Sequence, residues 1–249
     1  MQPLLIRGLI VGLVAGILAF GFAQVFGEPQ VDRAIAFEDA QAAAAGEGSG
    51  EEVVSRDVQS SIGLFSGAVI YGVAIGGLFS IAFAAAHGRI GRFRPRVTAA
   101  VLGLCGFLVV FLVPFLKYPG NPPAVGNPNT IGERTTQYVV MILISILAAV
   151  GVYRFGRGLV ARLGGWNAAL AAVGLYVVLI AFAMVVLPAA QGVTRGFPAD
   201  VLWHFRIASI GTQLVLWTTI GLGFGALAER HLAARAAGLA ERRASNVMA

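Results

Sequence analysis

The chain has 249 residues, 57% of them apolar and 12% charged, with a formal net charge of +6. A soluble domain carries about 25% charged residues, so this composition excludes an ordinary water-soluble globule, and the absence of a Gly-X-Y period excludes collagen. The positive charge does not point to nucleic acid: its arginines sit in short segments between apolar runs, a pattern suited to lipid headgroups.

A helix needs about 20 apolar residues to cross the hydrocarbon core of a bilayer. Six runs meet that length. They predict an all-α membrane protein of about six transmembrane helices, within one membrane domain. Barrel strands would be about ten residues of alternating polarity. These runs are twice as long and apolar on both faces, and a helix bonds its backbone within its own segment.

The first run covers 4–26. Arg7 lies near its start and can snorkel to the interface. Gly8, Gly12 and Gly16 recur every four residues and make a smooth face for close packing. The apolar stretch exceeds the 7–15 residues of a signal-peptide core, so it reads as a retained span.

The segment 27–61 follows, an acidic extracytoplasmic loop with Glu28, Asp32, Glu38, Asp39 and Asp57. If helical, it places Glu28, Asp32 and Asp39 near one face. Clustered carboxylates without lysine suit a divalent cation, although spacing alone favours a solvated acidic loop. Residues 42–50, rich in Ala, Gly and Ser, read as a flexible linker.

The second run, 62–86, has no charge and carries Gly63, Gly67, Gly72 and Gly76. A segment with Arg89, Arg92, Arg94 and Arg96 leads to the third run, 97–116. That run holds Pro114 and the sole cysteine, Cys105, read as a small buried hydrophobe. One cysteine excludes an intrachain disulfide and a CxxC metal knuckle. The connection from Lys117 to Pro128 contains Pro119, Pro122, Pro123 and Pro128 and cannot be a helix interior. It could line the mouth of a pore or serve as a rigid connector.

The fourth run is 135–153, and a basic segment, 154–167, links it to the fifth, 168–190, with Pro188 near its end. Asp200 and His204 come next, four apart, a workable ligand pair on a helix. With Trp203 beside it, His204 also reads as an interfacial residue. The sixth run is 207–228, and 229–249 forms a basic tail.

Lys and Arg divide unevenly between alternate segments. Arg7, 85–96, 154–167 and the tail hold 12 of 18 basic residues and two of 12 acids. The positive-inside rule then places both termini in the cytoplasm and the helices as three hairpins. The returning helices share a pattern: Arg56 precedes Gln59, Arg134 precedes Gln137, and Arg206 precedes Gln213. Gln59, Gln137 and Gln213 are therefore pore-lining candidates, since a buried glutamine needs partners.

No acid or base lies near the middle of any run, which disfavours a proton relay within this chain. Walker A, HExxH and GxSxG motifs are absent from the sequence, and no enzyme is expected.

Several segments together resemble the CbtA family of predicted cobalt transporter subunits. They are Gly27-Glu28-Pro29 with Val31 to Ile35, Lys117 to Gly126, and Phe197-Pro198-Ala199-Asp200 followed by Phe205-Arg206 and Trp217. The resemblance implies a multi-pass subunit in the bacterial cytoplasmic membrane. It would work in cobalt uptake linked to cobalamin synthesis, beside CbtB, a small one-span partner with a histidine-rich end. It implies no resident cofactor; Co²⁺ or another divalent metal would be cargo. Some relatives carry a histidine-rich first outer loop, but 42–50 has no histidine here.

Glu28, Asp32, Glu38, Asp39, Asp200 and His204 are thus the candidate metal-contacting residues. A non-transporting scaffold that docks a separate permease is the alternative. The glycine faces would serve either role, or a homo-oligomer.

Overall fold

The computed structural model describes residues 2–46, 55–91, 93–126, 130–189 and 192–248. Every regular element among them is helical. In chain order these are α1 (Gln2–Phe26), α2 (Glu28–Ala45), α3 (Arg56–Val58), α4 (Leu64–Ala86), α5 (Pro95–Gly106), α6 (Val113–Lys117), α7 (Ile131–Val186) and α8 (Ala199–Met248). Five continuous helical stretches are long and apolar enough to cross a membrane. The six runs become five because the fourth and fifth lie in one helix.

That helix, α7, is broken at Gly164, which takes φ 73° and ψ 164°. Only glycine reaches this conformation without strain. The chain folds back there: Met141 packs in one cluster with Ile180 and Ala183. A straight helix would hold residues 141 and 180 about 58 Å apart at 1.5 Å per residue. Gly156 lies against Ala172, where an added Cβ would stand 2.9 Å from the alanine methyl. The expected loop 154–167 is therefore helical except at its turn. The second arm ends at Val186, short of residue 190, because Pro188 disfavours helix in the residue before it.

Other boundaries also moved. The acidic loop is not wholly a loop, since Glu28–Ala45 is helical and takes in the first residues of the expected linker. Residues 47–54, with Glu47, Glu51 and Glu52, lie outside the described residues, as do Arg92, Asn127 and Pro128. The tail is helical through Met248.

The helices fall into two compact units. The first comprises Met1–Glu28, Gly50–Cys105 and Gly211–Ala249. Its centre is the contact of α1 with α4. The glycine stripe of α1 meets the Gly72 and Gly76 stripe of α4 so closely that backbones touch. A Cβ on Gly16 would lie 2.6 Å from the Ala68 carbonyl oxygen, and one on Gly72 would lie 2.5 Å from that of Gly12. The same logic brings Gly103 against Gly221 of α8. Phe224 meets Phe79 and Phe83 edge to face, at centroid distances of 5.4 and 5.0 Å. Small residues permit the approach and aromatics fill the space beside it.

The second unit comprises Pro29–Ser49 and Gly106–Ile210. A π-helical turn, Phe107–Leu112, joins α5 to α6. Pro114 explains it. A proline ring clashes with the carbonyl four residues earlier, here Val110, and a wider turn relieves the clash. The turn leaves carbonyls to satisfy: Ser145, fully buried, donates to the Val109 oxygen at 2.7 Å. The Ser145 hydroxyl also pairs with Tyr176 at 2.7 Å.

Large apolar side chains cover the outside of the helices. Val185 is 83% exposed, Leu147 70% and Ile70 69%. A water-soluble monomer rarely leaves so many together. Lipid is the solvent that fits them. Cys105 joins this surface and is exposed rather than buried. Its run is apolar on every side, and the core side of it goes to Gly103 and Phe107 instead.

Candidate functional site

Glu28 begins α2, two residues after Phe26, where α1 ends. Its carboxylate forms an ion pair with Arg56, at the start of the helix leading into α4. The pair is largely sheltered, with side chains 12% and 25% exposed. This tie joins the two ends of the 27–61 segment, so Glu28 is committed to a structural contact.

Asp32, Glu38 and Asp39 follow on α2 and are exposed. The other face of α2 carries Ala34, wholly buried against Val125, Phe197 and Val201, with Phe37 stacked edge to face on Phe197. The helix thus presents its acids outward because its apolar stripe is anchored.

Asp200 is engaged too. Arg33 donates to Asp200 Oδ2 at 2.5 Å. That hydrogen bond, aided by the charge of Arg33, holds the Asp200 carboxyl below the usual carboxylate range. His204 does sit one turn on, but its Nδ1 lies 2.7 Å from the Asp200 backbone oxygen. A carbonyl only accepts, so Nδ1 carries the proton and a neutral ring keeps its Nε2 lone pair free. Asp200 and His204 are thus one turn apart on one helix, with the Asp200 carboxylate held by Arg33. Among the described residues no three His, Cys, Asp or Glu side chains gather closely enough to hold a metal ion.

The proline-rich connection is pinned in place. Lys117 Nζ donates to the Met184 and Leu187 carbonyls at 2.7 and 3.2 Å, capping the end of α7. Tyr118 Oη donates to the Pro188 carbonyl at 2.8 Å, and Thr194 Oγ1 to that of Ala124 at 2.8 Å. Arg206 holds the middle, reaching Asn121 Oδ1 at 2.9 Å and the Gly120 carbonyl at 3.4 Å.

Behind this connection lies a cavity of about 420 Å³. Its polar wall includes Asn121, Arg134, Thr135, Gln137, Arg206 and Ser209; Phe111, Phe115 and Tyr138 supply an apolar wall. Among the described residues no acid contributes to the lining. Arg134 Nε is buried there without a hydrogen-bond partner. Glu133 lies close in sequence, but its carboxylate accepts from Gln137 Nε2 at 2.9 Å.

The three glutamines differ. Gln137 shares its cavity with two guanidinium groups. Repulsion is about 4 kcal/mol per pair of unit charges at about 4 Å in an effective dielectric near 20, so about 8 kcal/mol opposes a divalent cation beside one arginine. Gln59 is exposed, in the π turn Gln59–Gly63 ahead of α4. Gln213 lies inside the first unit, hydrogen-bonded to Tyr71. Its Oε1 is buried without a partner, and so is the indole Nε1 of Trp217 one turn along.

The arginine-lined cavity is what reading the sequence missed. Its signal was present: Arg134 and Arg206 are cations on the acid-rich set of segments. What hid it is that the residues come from positions nearly a hundred apart.

A family model described as probable cobalt transporter subunit (CbtA) matches residues 1–229. No curated protein and no solved structure matches the chain.

Proposed function

The chain belongs to the CbtA family, and from that premise we propose that it is the membrane-embedded subunit of a cobalt uptake system serving cobalamin synthesis. The observation that carries this reading is the family match over nearly the whole length. The lipid-suited surface of the helices supports it.

In this reading α7 crosses the bilayer twice about Gly164, giving six crossings in three hairpins. Both termini and the arginine-rich turns lie in the cytoplasm of a bacterial inner membrane. Asp32, Glu38 and Asp39 face the outside on an anchored helix and raise the local cation concentration, an effect that ionic strength weakens. The free Nε2 of His204 adds a borderline ligand. Gln213 offers a neutral oxygen deeper in. Tight coordination falls to a partner subunit, for which a one-span histidine-rich protein has the right chemistry.

One observation favours a scaffold instead. Glu28 and Asp200, two of the six candidate metal contacts, are held by Arg56 and Arg33. Cobalt accumulation under limiting metal separates the readings. Cells lacking the chain should accumulate several-fold less cobalt than cells carrying it with its partner, and reconstituted vesicles should show the same dependence. Equal accumulation refutes the transport role; loss in cells with no flux in vesicles supports the scaffold.

A further inference from the structure

We propose that the cavity lined by Arg134 and Arg206 holds the phosphate of an anionic phospholipid headgroup. This assignment goes beyond metal transport and does not rest on it.

Four observations converge. Two guanidinium groups face one cavity, and no acid is among the described residues that line it. Arg134 Nε is buried and, among the described residues, has no hydrogen-bond partner. A buried unpaired donor is costly, and an anionic oxygen would satisfy it. Arg206 is already oriented by Asn121 and the Gly120 carbonyl. Arginine's planar fork grips phosphate through paired hydrogen bonds.

The remaining features choose among phosphates. Free phosphate and a lipid phosphodiester both present anionic oxygens to such a fork. The cavity measures about 420 Å³, whereas a water's share of liquid volume is about 30 Å³. There is room for a phosphate together with its glycerol. Phe111, Phe115 and Tyr138 form an apolar wall beside the arginines. Ile131, which also lines the cavity, is an apolar residue 57% exposed. Such an exposed apolar neighbour suits the acyl chain of a lipid whose headgroup stays inside.

Native mass spectrometry of the full chain, released from nanodiscs, tests this. Discs contain phosphatidylcholine alone or mixed with phosphatidylglycerol. The wild type should retain one phosphatidylglycerol and melt at a higher temperature in mixed discs. Arg134→Gln should weaken retention by about tenfold, the loss of a charge-assisted contact. Arg134→Lys keeps the charge but not the fork, so it should fold and retain the lipid several-fold less well. Excess inorganic phosphate should compete. Stabilisation by inorganic phosphate without retention of phosphatidylglycerol would overturn the lipid assignment and leave a free-phosphate site. Equal retention of both lipids would overturn the anionic-lipid assignment, and wild-type retention in Arg134→Lys and Arg134→Gln alike would overturn the site altogether.

Discussion

Gly12→Val should destabilise the folded chain by about 3 kcal/mol or more, the upper end of what overpacking costs. A Cβ there points into the backbone of α4, meeting the Gly72 carbonyl, with Val73 Cα 3.0 Å away. No rotamer avoids the clash, because the first carbon is already too close. Only separation of α1 from α4 relieves it. Gly21→Val is the matched control, since nothing lies within 4 Å of a Cβ on Gly21. Thermal melts in detergent should show a large loss for Gly12→Val and little change for Gly21→Val. Similar melts for both would mean the two glycine stripes do not meet.

The second large effect concerns Glu28 and Arg56. Breaking a fully buried ion pair costs about 3–5 kcal/mol, and one with some solvent contact less. Glu28→Gln and Arg56→Gln should each cost about 1–3 kcal/mol on that scale. The exchanged double variant E28R/R56E should recover most of it. Cobalt uptake should follow stability through this series, because Glu28 serves the fold. Glu38→Gln with Asp39→Asn should behave oppositely: melting stays near wild type, while uptake at limiting metal and low ionic strength falls roughly threefold or more. Uptake lost in E28R/R56E despite restored melting would place Glu28 in the metal path instead.

These two cases mark what a sequence can disclose. The glycine stripe was legible because small residues every four positions have one obvious use in a membrane helix. The partner stripe on α4 was legible for the same reason. The helical class followed from run length. The two arms of α7 were readable as separate runs, but the turn was not, because it needs only one residue, Gly164, rather than a loop. The π turn before Pro114 was hidden for a similar reason: a proline announces a disturbance without saying which backbone geometry absorbs it.

The site was less legible. Glu28 and Asp200 are each paired with an arginine that is remote in sequence. Arg56 lies 28 residues from Glu28, and Arg33 lies 167 from Asp200. The spacing that put Asp200 and His204 on one face was right, yet Arg33 took the carboxylate. Arg134 and Arg206 were visible as a recurring Arg–Gln pattern. Their convergence on one cavity depends on the way the proline-rich connection is pinned by Lys117, Tyr118 and Thr194.

Thiol labelling from one side of the membrane tests the central claim, that the acidic helix α2 faces outward while the arginine-rich turns face inward. Cys105 is first replaced by alanine, and single cysteines are placed at Ala42 and at Ala161. A membrane-impermeant maleimide added to intact cells should label Ala42→Cys at once and reach Ala161→Cys only after the membrane is opened. Labelling of Ala161→Cys in intact cells, with Ala42→Cys protected until permeabilisation, would contradict the account.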